Sequence, residues 1–174
     1  MAGDTTDDKA TAKLKAARSS GEPGVDAIAL LEADHREVDG YFQAYDGLTD
    51  PAEKKALADQ ICLALKVHAL IEEEIFYPTV RAKIGREELI DEALVEHMGA
   101  KTLVAQIEAM PVGEGLYDAM VKVLGDQVRH HVAEEEGELF PEARDSGADL
   151  DALGAKLAAR KAELLGLLTP QPVA

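Results

Sequence analysis

Four stretches of the chain carry a histidine in the middle of an apolar stripe, and that placement constrains the fold more than any other feature. In the first stretch Ile28, Leu31, His35, Val38, Phe42 and Tyr45 recur at steps of three and four, which is one face of an α-helix. The second runs through Leu57 or Ile61, then Leu65, His68, Glu72 and Ile75. The third has Ile90, Leu94, His97, Ala100, Val104 and Ile107, and the fourth Tyr117, Val121, Leu124, Val128, His131 and Glu135. Four long amphipathic segments joined by short loops predict an all-α fold, an antiparallel up-and-down four-helix bundle. Asp46-Gly47, Pro111 with the VGEG stretch, and Asp145-Ser146-Gly147 supply the stops. Thr49 or Asp50 can cap the second helix ahead of Pro51, and Pro78 should kink or end it. A shorter amphipathic segment, Leu150 to Leu167, predicts a fifth helix packed on the outside. Residues 1–24 lack a sustained apolar face and read as a flexible tail, residues 168–174 as a loose end, leaving 25–167 for the bundle.

Composition agrees and narrows the function classes. A chain of 174 residues defaults to one domain. Aromatics are 4% and Trp is absent, which disfavours a β-sandwich. The net charge of −16 argues against a nucleic-acid partner, which needs a basic stripe, and against an anionic membrane surface. The single cysteine, Cys62, excludes an internal disulfide framework and a cysteine-rich zinc site. The opening residues lack the apolar stretch of a signal peptide, so the expected location is cytoplasmic, with no membrane span. The oligomeric state is left open.

The polar residues fall where a bundle buries its seams. His35, His68, Glu72, His97, His131 and Glu135 all lie on interior faces. A buried carboxylate is costly unless it is paired or holds a metal. A His and a Glu at i and i+4 stand one above the other on a helix face, so each pair can reach one ion or two adjacent ones. Four imidazoles and two carboxylates suit a pair of iron or manganese ions. The pattern also repeats. HALIEEEIFYP from His68 and HVAEEEGELFP from His131 align 63 residues apart, matching Glu72 with Glu135, Glu73 with Glu136 and Pro78 with Pro141. His35 and His97 precede these segments by 33 and 34 residues, so the chain reads as two helical hairpins of one design. His130 falls one residue off the seam, toward solvent or the outer shell.

These motifs resemble the hemerythrin-like proteins that carry an HHE cation-binding domain. The resemblance covers about residues 25–165 and rests on LLEADHREVDGYF, HALIEEEIFYP, VEHMGAK and HHVAEEEGELFPEAR. It implies a hemerythrin-like bundle around a non-heme di-iron centre, two iron ions with an oxo or hydroxo bridge. His35, His68, His97 and His131 would be the nitrogen ligands, and Glu72 and Glu135 the carboxylate bridges. Manganese or zinc can substitute at such ligands. Two departures separate this chain from the oxygen-carrying hemerythrins. Lys101 stands where they have a second histidine on the third helix, and the last pair is HxxxE rather than HxxxxD. Fewer histidines imply two similar irons and speak against reversible oxygen carriage. A ferritin-like centre fits poorly, because only Glu32-Ala33-Asp34-His35 has the ExxH order.

The expected function is a di-iron protein that binds or senses a small diatomic or peroxide ligand (oxygen, peroxide or nitric oxide) at an open iron position. Leu65, Val104, Leu124 and Val128 are expected to limit water access. Two alternatives are a di-iron enzyme that decomposes peroxide or reduces nitric oxide, with Glu73, Glu136 or a tyrosine as proton donor, and an iron storage or buffering protein. Tyr41, Tyr45 and Tyr117 are candidate tyrosines beside the centre, with structural packing the commoner fate of such residues.

Overall fold

The structure, a computed structural model, describes residues 26–169. The expected N-terminal tail and nearly all of the expected C-terminal tail lie outside the described residues. The helices are α1 (Ala27–Asp46), α2 (Pro51–Ile71), α3 (Tyr77–Arg81), α4 (Glu87–Ala109), α5 (Tyr117–Glu134), α6 (Phe140–Asp145) and α7 (Leu150–Leu168). Two wide π turns, Glu72–Phe76 and Glu135–Leu139, join α2 to α3 and α5 to α6 without a break. The bundle therefore has four rods: α1, α2 with α3, α4, and α5 with α6. Each packs against its neighbour around the ring, and α7 lies outside against α1 and α2. Among the described residues no helix is long and apolar enough to cross a membrane.

Local chemistry sets the ends. Asp26 Oδ1 accepts the Ala29 N–H at 2.9 Å, and Asp50, not Thr49, caps α2 by accepting from Ala52 and Glu53 at 2.9 and 3.0 Å. Asp149 does the same for α7 through Ala152. Gly147 takes a positive φ of 70° in the turn before α7, a conformation that costs glycine little.

The prolines act differently from the expectation. Pro78 neither ends nor breaks its rod, which runs on to Arg81. In a regular helix Pro78 and Pro141 would clash with the carbonyl four residues back. The π turn placed just before each proline opens the ladder there: the Tyr77 N–H bonds to the Glu72 carbonyl and the Phe140 N–H to the Glu135 carbonyl, five residues back. The extra residue also resets the register. Ile75 is left half-buried, and Phe76 and Tyr77 turn inward instead.

Two apolar clusters fill the bundle, one at each end. The upper one holds Ile28, Leu31, Ile71, Phe76, Phe140 and Leu157. The lower one holds Val38, Phe42, Ile61, Val104, Ile107 and Leu124. Gly125 of α5 lets the Phe42 ring approach closely, since a Cβ there would lie 3.0 Å from a ring carbon. Replacing Gly125 by valine is expected to cost about 1–3 kcal/mol through overpacking, read as a lower urea midpoint with an unchanged slope.

Candidate metal centre

Between the two clusters sits a polar layer. His35 lies one turn beyond Leu31 and one turn before Val38, and the other three rods place His68, His97 and His131 at the same level. All four histidines are 5–7% exposed, Glu135 is 2% and Glu72 is 0% exposed. The six side chains that the periodicity singled out come together, and the carboxylates and imidazoles fall into sets of ligand atoms within 4.8 Å of one another.

The arrangement has an approximate two-fold symmetry. His35 Nε2 faces His68 Nε2 at 3.1 Å, and His97 Nε2 faces His131 Nε2 at 3.1 Å. Glu72 Oε2 lies between the pairs, 3.2 Å from His68 and 3.4 Å from His97. Glu135 Oε2 does the same, 3.3 Å from His35 and 3.4 Å from His131. Each carboxylate thus touches one imidazole of each pair.

Behind the imidazoles stands a second row of acids. His35 Nδ1 meets Glu136 at 2.9 Å, His97 Nδ1 meets Glu73 at 2.9 Å, and His131 Nδ1 meets Glu96 at 2.8 Å. Asp34 lies 3.6 Å from His68 Nδ1, beyond an ordinary hydrogen bond. An imidazole that donates Nδ1–H to a carboxylate presents a bare lone pair at Nε2. His97 and His131 then aim two lone pairs at one another, an arrangement that calls for a cation. Lys101 Nζ clasps both oxygens of Glu73 at 2.6 Å, and Lys161 reaches Asp34.

Charge gives an independent test of what the site can hold. Six carboxylates (Asp34, Glu72, Glu73, Glu96, Glu135, Glu136) stand against two ammonium groups, Lys101 and Lys161, if the histidines are neutral. That leaves −4, the charge that two divalent ions offset. Glu72 Oε1, Glu135 Oε2 and His68 Nδ1 are buried with no hydrogen-bond partner. Buried polar atoms are rarely left so. The donor set fits a pair of metal ions.

The titrating groups respond to the same crowding. Burial disfavours the charged form of His68, but Glu72, Asp34 and Glu135 outweigh it and raise its pKa to about 10. Burial likewise opposes a charged His97, and Glu72 and Glu73 raise it nonetheless. Burial would raise the Glu72 carboxyl, yet His68 and His97 hold it well below the usual range. Tyr77 is pushed far up, by burial first and then by Glu72 and Glu135, so it stays protonated.

Tyr77 is the residue that periodicity missed. Its hydroxyl donates to Glu135 Oε1 at 2.7 Å and lies 3.3 Å from Glu72 Oε2. In an α-helix a residue five beyond Glu72 lies about 140° round the axis; the π turn brings it back under the carboxylate. Its counterpart in the repeat, Phe140, stacks on His35 with ring centroids 5.8 Å apart. The three candidate tyrosines are elsewhere. Tyr41 donates to Glu37 on the surface, Tyr45 to Asp118, and Tyr117 lies in the lower cluster. Glu73 and Glu136 face the Nδ1 side of the imidazoles, away from the centre. Sequence reasoning missed Asp34 and Glu96 as well; the one signal for them is that each directly precedes a seam histidine, 62 residues apart like His35 and His97.

A cavity of about 50 Å³ opens on the histidines from the lower side. All four imidazoles line it, with Val38, Leu65, Val104 and Val128 as its apolar walls. Leu124, expected among the walls, is packed in the lower cluster instead. A water needs about 10–15 Å³ of such space, so a diatomic molecule fits.

A four-rod helical bundle closed over a layer of paired histidines and bridging glutamates defines a class of cation-binding domains. The chain belongs to the hemerythrin HHE cation binding domain family, whose profile matches residues 26–143. Among solved structures it resembles a hemerythrin HHE cation binding domain-containing protein from Mycobacterium kansasii, an Rv2633c homolog. The TM-score is 0.72 at 26% identity, covering 82% of this chain and 89% of that one. Among curated proteins it is 32% identical over 120 residues to a DNA nickase of Nostoc sp. (strain PCC 7120 / SAG 25.82 / UTEX 2576). That match covers 67% of this chain but only 33% of the nickase, so the chain spans about a third of that relative's length.

Proposed function

We propose that the chain is a non-heme di-iron protein that binds a small oxidant, oxygen, peroxide or nitric oxide, in the apolar cavity against the four histidines. The observation that carries this reading is the coincidence of that cavity with the charge deficit of −4. His35 and His68 would hold one iron, His97 and His131 the other, with Glu72 and Glu135 shared between them. When bound, the iron pair would supply electrons and an open position for the ligand. The chain does the rest. The carboxylates at Nδ1 fix each imidazole with its lone pair inward, Tyr77 keeps a proton on its hydroxyl beside Glu135, and the valines restrict water. Manganese or zinc fits the same donors, and a cytoplasmic setting suits a chain of this charge.

The first test is elemental analysis of protein purified from iron-fed cells without chelator. About two iron atoms per chain are expected from the donor count, and little metal with an unchanged fold would overturn the reading. Stopped-flow mixing of the iron-loaded protein with each oxidant then separates stoichiometric binding from turnover or simple iron release. Replacing Val128 by phenylalanine should keep the iron and slow ligand binding about tenfold or more, a barrier change of at least about 1.4 kcal/mol. Unchanged binding rates would remove the cavity from the ligand's path. DNA nicking is a property of the much longer Nostoc relative. The net charge of −16 weighs against extending DNA binding to this chain.

A further inference from the structure

The fifth histidine stands outside the buried layer. His130 lies on α5 beside His131 in sequence, and its side chain is 67% exposed. Its Nε2 is 3.2 Å from Glu134 Oε1, one turn along the same helix, and 3.6 Å from Glu96 Oε1 on the facing α4. A zinc ion with bonds of about 2.0–2.2 Å to nitrogen and oxygen spaces its tetrahedral ligand atoms about 3.3–3.6 Å apart. The imidazole nitrogen stands close to that spacing from both carboxylate oxygens, and the three atoms, from two helices, lie within 4.8 Å of one another. The surface recess they share is also lined by Asp91 and Glu92, which add negative charge.

Glu96 gives the group a definite geometry. Its second oxygen, Oε2, accepts the His131 Nδ1–H at 2.8 Å, so Oε1 is held facing His130. The row of acids behind the buried histidines supplies a second argument. Glu73 carries the Lys101 ammonium and Asp34 the Lys161 ammonium. Among the described residues neither Glu96 nor Glu136 has a lysine or arginine partner, and of the two only Glu96 stands against a second histidine. A cation held by His130 would stand to Glu96 as Lys101 stands to Glu73.

We infer that Glu96, His130 and Glu134 form a surface site for a zinc-like divalent cation, separate from the buried centre and touching it through the two oxygens of Glu96. Water completes the coordination, as the exposure of His130 requires. The donor set favours zinc over calcium or magnesium, which take oxygen ligands. The site stands apart from the proposed chemistry of the buried layer and needs no iron.

The test is zinc titration of the metal-stripped full chain by equilibrium dialysis, comparing wild type with His130→Ala and Glu134→Gln. Both substitutions are on exposed side chains, and thermal melts verify that each variant folds. Wild type should bind one zinc equivalent more than either variant, or bind its last equivalent at least tenfold more tightly. The comparison is a difference between chains, so it reads the surface site whatever the buried layer takes up. Failure of the di-iron reading would show as an altered count common to all three chains. Equal stoichiometry and affinity in all three overturns the surface site and leaves His130–Glu134 an ordinary ion pair between adjacent turns.

Discussion

Glu72→Ala is expected to empty the buried centre and to lower the melting temperature of metal-loaded protein by about 10 °C. Glu72 is fully buried and its Oε2 touches an imidazole of each pair, so no neighbouring acid can replace it. A metal bound at about a thousand times its dissociation constant contributes about 4 kcal/mol to the native state. In a chain of this size each kcal/mol is worth about 2–4 °C. Glu135→Ala should behave alike, because its contacts mirror those of Glu72. The adjacent Glu74 is the control. It is exposed and paired with Arg160 on α7, so Glu74→Ala should change stability by less than about 1 kcal/mol and leave the metal content alone. Elemental analysis with differential scanning calorimetry reads both quantities. Wild-type metal and wild-type melting in both buried variants would show that these glutamates hold nothing.

The second large effect is one of pH, with opposite signs for metal-stripped and metal-loaded protein. In stripped protein the pKa of His68 is raised from 6.5 to about 10. A raised histidine contributes stability that is complete below about pH 6.5 and is lost as the pH climbs through its folded value. His97 shifts the same way. Glu72 is lowered, so its contribution is present above its ordinary value of 4.5 and lost as the pH falls below it. Stripped protein should therefore be most stable in mildly acid solution and weaken steadily toward pH 10. Metal binds neutral imidazole, so protons compete with it and its contribution grows as the pH rises. The gap between the two melting temperatures should widen from pH 6 to pH 9, measured by circular dichroism in matched buffers. Parallel pH profiles would mean that the histidine layer is not where the metal acts.

The bundle was legible because its signal is strong and local. Steps of three and four over six positions leave little choice of element, and the histidines betrayed themselves by interrupting an apolar stripe. Asp50 was legible as a cap by the same local logic, while Asp26 and Asp149 show as caps only in the structure. What periodicity could not show was the register beyond Glu72 and Glu135. It assumes a constant advance per residue, and the π turns break that assumption just where the site is built. Ile75 was therefore expected inward and Tyr77 was passed over. The outer acids were hidden for another reason. Asp34 and Glu96 lie one residue off the seam, where an acid on a helix usually faces water, and only the neighbouring rod reveals that they face a histidine. Leu124 sits at the right phase for the cavity wall but a turn too deep. Phase along a helix says nothing of depth until the partner helices are in place.

Each π turn lodges one surplus residue inside an otherwise continuous helix. A chain that kept every residue but closed Glu135–Leu139 into plain α-helix would press the Pro141 ring on the carbonyl four residues back. Its far-ultraviolet spectrum would scarcely change. Every side chain beyond the turn would nonetheless be rotated by about 100° relative to His131, and the inward places of Leu139 and Phe140 would pass to their neighbours. Helix content is therefore a blind gauge of this molecule. Two chains can be equally helical while only one of them assembles the centre, and the difference is a matter of reading frame along the rod.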